Sequence, residues 1–227
     1  MITARVPMIG ILSAILGTSL LCAGDFSNYR GFQFGMNLSV AAKQAGVKPS
    51  DARLVHQRPA LIQELEWQPR TPFQAVSMKA DPVQEGLLRF YNGELFQIVI
   101  TYDRYKVEGM TAEDMVEAIS LTYGAAARPT AEIAYYSNYG EVAPVLARWE
   151  DSQYSYNLVR TGDRSSFAMV LHWKRLEALA QAAIAEAARL DAVEAPQRAI
   201  DLEKKQEAEG RLVLDKARSA NMPNFRP

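Results

Sequence analysis

Apolar residues change their spacing twice along the body of this chain. Leu38, Ala41, Ala42 and Ala45 recur at the interval of one helix face, and so do Met115, Val116, Ile119 and Tyr123. After each stretch the pattern shifts to strands. Leu61–Trp67 and Val145–Trp149 each end on a tryptophan. Leu87–Tyr91 and Glu94–Tyr102 flank Asn92-Gly93, a strong hairpin signal. In that second strand, alternation puts Phe96, Ile98, Ile100 and Tyr102 on one face, with Gln97 and Thr101 on the other. Tyr154–Arg160 and Phe167–Trp173 predict a second hairpin around Thr161–Arg164, with Phe167, Met169, Leu171 and Trp173 sharing a face.

The two helices start and stop alike. Asn37 and Thr111 are candidate N-caps, each following Gly-Met, and Thr111 with Asp114 resembles a capping box. Gly46 and Gly124 close them. The predicted class is α+β, built as two helix-plus-three-strand antiparallel repeats in one or two sheets with helices on one face. The loops Gln68–Gln84 and Ala125–Ala143 interrupt the pattern.

From Lys174 to Arg218 the composition changes. Nine Lys+Arg balance nine Asp+Glu, alanine is frequent and glycine nearly absent, which favours helix. Leu176, Ala180, Ala183, Ala187 and Leu190 form an apolar stripe that either docks on the body or mediates self-association. Pro196 is expected to break or kink the segment. The domain plan is then a signal peptide at 1–24, repeats at 25–106 and 107–174, a charged helical segment at 175–219 and a disordered tail at 220–227.

The signal peptide is read from Arg5, an uncharged run of 14 residues from Met8 to Leu21, and the small residues Cys22, Ala23 and Gly24 before Asp25. The run is short for a membrane span, which takes roughly 20 apolar residues. A signal anchor and a lipid-anchored signal are the alternatives, although Leu21 is large for the position before a lipidated cysteine. Cleavage after Gly24 discards the single cysteine, and with it disulfides, thiolate metal sites and cysteine nucleophiles. The expected location is periplasmic or secreted.

Charge and motifs narrow the chemistry. The chain beyond Gly24 carries 24 Lys+Arg against 26 Asp+Glu, which gives no reason to expect nucleic acid. It holds no Gly-x-Ser-x-Gly elbow, Ser-x-x-Lys pair, His-Glu-x-x-His helix or phosphate-binding glycine loop. Nothing places His56 near His172, and both are expected to be ordinary surface or loop residues. Glu64 and Glu66 are expected on the solvent side of their strand, with Leu65 and Trp67 inward. No catalytic residue, metal ligand or cofactor is assigned. Tyr135, Tyr136 and Tyr139, joined by Tyr154 and Tyr156, have the composition of a recognition surface, or else cover the sheet.

The stretch Tyr29–Leu38, with its aromatic residues ahead of Gly35-Met36-Asn37, resembles the SmpA/BamE-like outer-membrane assembly lipoproteins and the tandem β-lactamase inhibitor protein. The second Gly109-Met110-Thr111 matches the tandem form, whereas the inhibitor's small disulfide loops and the lipoproteins' lipobox are missing. The resemblance implies a non-catalytic extracytoplasmic binding scaffold and names no ligand. The expected function is therefore non-enzymatic binding or envelope assembly, with another protein or envelope component as partner. An enzyme with a site assembled from distant residues, and an oligomeric structural protein using the C-terminal helix, are the alternatives.

Overall fold

A computed structural model of the chain describes residues 24–69, 81–130, 133–135, 142–161, 166–224 and 226. The segment Met8–Leu21, with Tyr136 and Tyr139, lies outside the described residues, and of Tyr135 only the backbone is described.

The N-terminus forms a small hairpin of β1 (Asn28–Tyr29) and β2 (Phe32–Gln33). Then come α1 (Leu38–Ala45), a 3₁₀ turn at Pro49–Asp51, β3 (Arg53–His56), β4 (Ile62–Trp67), β5 (Val83–Tyr91) and β6 (Glu94–Tyr102). The second half runs α2 (Ala112–Tyr123), β7 (Ile133–Tyr135), β8 (Val142–Glu150), β9 (Tyr154–Thr161) and β10 (Ser166–Trp173). A single helix, α3 (Lys174–Asn221), follows and ends in a 3₁₀ turn at Met222–Asn224.

Local chemistry accounts for the helix ends. The Asn37 side chain accepts from the Val40 backbone N–H, and Gly46 closes α1 in the left-handed region at φ 71°. Thr111 and Asp114 complete a reciprocal capping box at the start of α2. Asn92 and Gly93 both take positive φ, the turn that matches the right-handed twist of β5 and β6.

Eight strands form one antiparallel sheet, in the order β3-β4-β5-β6-β10-β9-β8-β7. The expected count of three strands per half is corrected to four, because Arg53–His56 and Ile133–Tyr135 each add an outer strand. Both are short and lack a run of alternating apolar residues, so periodicity could not mark them. Each half is thus a helix followed by a four-strand meander, and the two meanders meet where β6 pairs with β10.

The main core lies between one face of the sheet and the layer made by α1, α2 and the β1–β2 hairpin. Leu88, Ile98, Ile100, Leu158, Met169 and Leu171 rise into it from the strands. Trp149 is buried there, and its Nε1–H donates to the Gly124 carbonyl at 3.0 Å and to the Ser120 hydroxyl at 3.2 Å, tying the end of α2 to β8. Tyr156 is also core: its ring meets Phe26 and Tyr123 edge-on and its hydroxyl donates to the Asn28 carbonyl. Tyr154 stacks on Phe34. These two tyrosines are therefore spent on folding and are not part of an exposed aromatic patch.

The opposite face carries a second apolar cluster of Val99, Val159, Ala168 and Val170, and a third where Ile62 and Phe96 meet Leu176 and Ala180 of α3. Phe96 departs from the expected alternation. The β5–β6 register shifts between Arg89 and Phe90, so that Gln97 faces Arg89 while Leu95 faces Phe90. The extra residue turns Phe96 toward α3.

Leu176, Ala180, Ala183 and Ala187 are buried within the chain and Leu190 is half-buried, so the stripe is occupied by docking. Beyond it the helix is exposed. Pro196 sits inside α3 without ending it, and the expected tail at 220–227 is corrected at its start, where helix persists to Asn221. Arg58 secures the middle of α3 through ion pairs with Glu194 and Asp191.

Candidate functional site

Two places concentrate polar chemistry inside this fold. The first is a cleft of about 350 Å³ on the helical side of the sheet. One wall is α2, whose Met115, Ala118, Ile119, Thr122 and Tyr123 follow the i, i+3, i+4, i+7, i+8 spacing of a single face. The facing wall is the β1–β2 turn with Tyr29 and Arg30. Tyr102 at the end of β6, Met169 of β10 and Pro82 line the base, and Lys106, Val107 and Met110 come from the connection into α2.

Arg30 is held by Asp81 through two hydrogen bonds, of 2.5 and 3.0 Å. Burial works to raise the Asp81 carboxyl, but the Arg30 and Val83 hydrogen bonds outweigh it and hold the group below the ordinary carboxylate range. The phenols behave oppositely. Burial pushes the Tyr29 hydroxyl up to about 12 and raises Tyr102 and Tyr123 as well, with the neighbouring phenols adding to the effect at Tyr29 and Tyr102. All three stay neutral through the physiological range. They donate or accept hydrogen bonds but do not act as bases or nucleophiles there.

The second place is a rank of cross-strand partners running across seven strands: Arg53, Glu64, Arg89, Gln97, His172, Ser155 and Glu150. Direct partners in an antiparallel sheet point to the same side, so these seven side chains share one face. Arg53 and Glu150 are exposed ends, while Glu64, Arg89, Gln97 and Ser155 are buried. Glu64 bonds Arg53 at 2.5 Å and lies 3.3 Å from the Arg89 Nε. Arg89 donates to the Gln97 Oε1 at 2.6 Å, and Gln97 donates to Glu177 in the first turn of α3. Glu177 is also bonded by Gln181, and its burial raises its carboxyl above the ordinary range. Burial lowers the Arg89 guanidinium.

This rank corrects two expectations. Glu64 is buried and ion-paired, and only Glu66 meets solvent, because the second sheet face is covered by α3 where a single-faced strand was expected. His172 is enclosed too. Burial, and the nearby Arg148 and Lys174 charges, push its pKa down to about 4 against a smaller opposite pull from Glu150, and its Nδ1 finds no partner among the described residues. Leu65 and Trp67 do turn inward as expected.

His56 lies in β3, four strands from His172, a separation of roughly 19 Å at about 4.8 Å per strand. Neither lines the tyrosine cleft. Among the described residues no group of three or more His, Cys, Asp or Glu side chains could hold a metal ion. Among the described residues no helix is long and apolar enough to cross a membrane. Gly24 packs against Tyr123 and Thr122, and Asp25 accepts from the Ser27 backbone and hydroxyl. The cleft itself was missed at the sequence level. Its signal was the apolar spacing of Met115, Ile119 and Tyr123 along one face of α2, which reads equally well as core.

No protein-family model, curated protein or solved structure matches this chain.

Proposed function

We propose that this chain is a periplasmic or secreted, non-enzymatic binding protein whose ligand site is the cleft between α2 and the β1–β2 turn. The observation that carries this reading is the cleft's lining: methionine and aliphatic walls with neutral phenols at one end, and with Arg30 already bound to Asp81. That is the composition of a binding pocket, an apolar volume with a few placed polar groups. It lacks a base–nucleophile pair. The extracytoplasmic location is supported by the apolar run Met8–Leu21 ahead of Gly24 and Asp25. N-terminal sequencing of the protein recovered from the extracytoplasmic fraction should begin at Asp25. An uncleaved chain retained inside the cell would sink that part of the proposal.

The binding part is tested with the Met115→Trp variant, which fills the cleft. Compounds that raise the melting temperature of the native chain should lose that effect in the variant. Stabilisation that survives the plug, or its absence across a broad small-molecule library, counts against the cleft.

The four-strand halves and their matching Gly-Met helix starts support reading the body as a tandem repeat similar to the SmpA/BamE-like scaffolds. A second reading rests on α3. Its residues from Ala195 onward are exposed on every side, as expected of an arm that docks a partner or a second copy. Light scattering on the chain with and without residues 199–227 decides the self-association form, which fails if the particle mass per chain is unchanged. Tyr135, at the end of β7, with Tyr136 and Tyr139 is proposed as a recognition surface for the same class of protein partner; changing all three to Ser should weaken that binding, and unchanged affinity with unchanged folding would sink the idea.

A further inference from the structure

We propose that the cleft takes a neutral aromatic alcohol: about two fused rings bearing one hydroxyl, held ring-first between the methionines with its oxygen at Tyr102. This rests on the reading of the cleft as the ligand site and specifies the chemistry of its occupant.

Size sets the first limit. An apolar cavity of roughly 150 Å³ holds one benzene ring. The cleft, at about 350 Å³, has room for two. Its walls select the kind of body. Met110, Met115 and Met169 present three thioethers around one space, with Val107 and Ile119 between them. Thioether sulfur makes favourable contacts with aromatic rings that it does not make with saturated chains, and its flexible side chain adapts to a flat guest.

The polar end selects the functional group. Tyr102 is buried as a residue, but its hydroxyl is open to the cleft that it lines and no hydrogen bond to a described residue holds it there. A guest that displaces water from this hydroxyl keeps the bond only if it supplies a hydrogen-bonding group of its own. A ligand hydroxyl both donates and accepts, so it suits a phenol whose proton is free to rotate. Tyr29 stands close by as a second phenol.

Charge disfavours the competitors. Arg30 is already neutralised by the bidentate contact with Asp81, so a carboxylate entering beside it meets an occupied guanidinium and a fixed negative charge. A cationic ligand meets Arg30 and the rim lysine, Lys106, while a carboxylate gains only Lys106 to set against Asp81. A neutral guest avoids both costs.

The test uses the full mature chain and three probes of one size: 2-naphthol, naphthalene and 2-naphthoate, titrated by calorimetry. We expect 2-naphthol to bind saturably at one site per chain, about tenfold tighter than naphthalene and tighter than 2-naphthoate. Tyr102→Phe should weaken 2-naphthol about tenfold, to the level of naphthalene, and leave naphthalene unchanged. Should that variant fold poorly, Ile119→Trp at the half-exposed rim should abolish binding of all three. The proposal is overturned if 2-naphthoate binds tightest, if Tyr102→Phe binds 2-naphthol like the native chain, or if none of the three saturates. A library compound whose stabilisation Met115→Trp removes would, in those cases, leave the cleft standing as a site for another chemistry. Failure of every compound would remove both.

Discussion

The side-chain amide of Gln97 reaches both carboxylate oxygens of Glu177 at 3.3 Å, joining the middle of the sheet to the first turn of α3. Behind that contact stands Arg89, which donates to Gln97 and pairs with Glu64. The long helix is therefore fixed to the sheet by charge as well as by Leu176 and Ala180.

Removing one member of such a set strands the others in a dry interior. Arg89→Met should destabilise the protein by about 3–5 kcal/mol, since it removes the buried cation between Glu64 and Glu177 and leaves Glu64 only the exposed Arg53. Adding Glu177→Leu should recover part of that loss, with a coupling of at least ~1 kcal/mol in a double-mutant cycle by urea denaturation. Strict additivity would show that Arg89 and Glu177 act independently, against the connection through Gln97.

His172 makes the fold sensitive to acid. Its pKa is about 4 when folded and 6.5 in the reference state, so the contribution to stability is complete above pH 6.5 and is lost as pH falls toward 4. The shift corresponds to about 3 kcal/mol. Glu177 runs the other way: its raised folded pKa gives stability that is present below 4.5 and lost as pH rises through the folded value. His172→Leu should therefore lose less stability than the native chain between pH 7 and pH 4.5, measured by urea denaturation at each pH. An NMR titration placing His172 near 6.5 would contradict the burial on which this rests.

Trp67 lies across the β4–β5 pair from Gly86, and the absence of a side chain there is what lets the indole lie down. A Cβ at Gly86 would stand 2.5 Å from the Trp67 Cε3 and 3.3 Å from the Ile100 Cδ1. Gly86→Ala should cost about 1–3 kcal/mol by overpacking. The change should also move Trp67 away from Phe32, which it now meets edge-on at 5.1 Å. Unchanged stability and tryptophan emission would show that the indole has another place to go.

The helix ends and both tight strand pairs were legible because their signals are local: Asn37 and Thr111 cap within three residues, and Asn92-Gly93 dictates its own turn. What escaped was long-range. Glu64 looked solvent-facing because nothing near it in sequence announces that α3, more than a hundred residues on, covers that face. Phe96 looked like a core residue of the helical side because alternation assumes an unbroken register, and the shift at Arg89 depends on the partner strand. Pro196 looked like a stop because its cost is local, while the helix on either side gains from Arg58 at one end and from high alanine content throughout. The tyrosine cleft draws on β1, β6, β10 and α2, so no window of sequence contained it.

The strand order has a consequence for how the protein is made. β6 is central in the finished sheet, but its neighbour β10 is the last strand to leave the ribosome. Until residues 166–173 arrive, the run Ile98-Val99-Ile100 is an unpaired apolar border, and such borders recruit strands from other chains. The polypeptide thus passes through a stage, more than sixty residues long, in which a largely apolar strand is bare on one side. Its yield in the cell should depend less on the stability of the folded form than on whatever shields β6 during that interval.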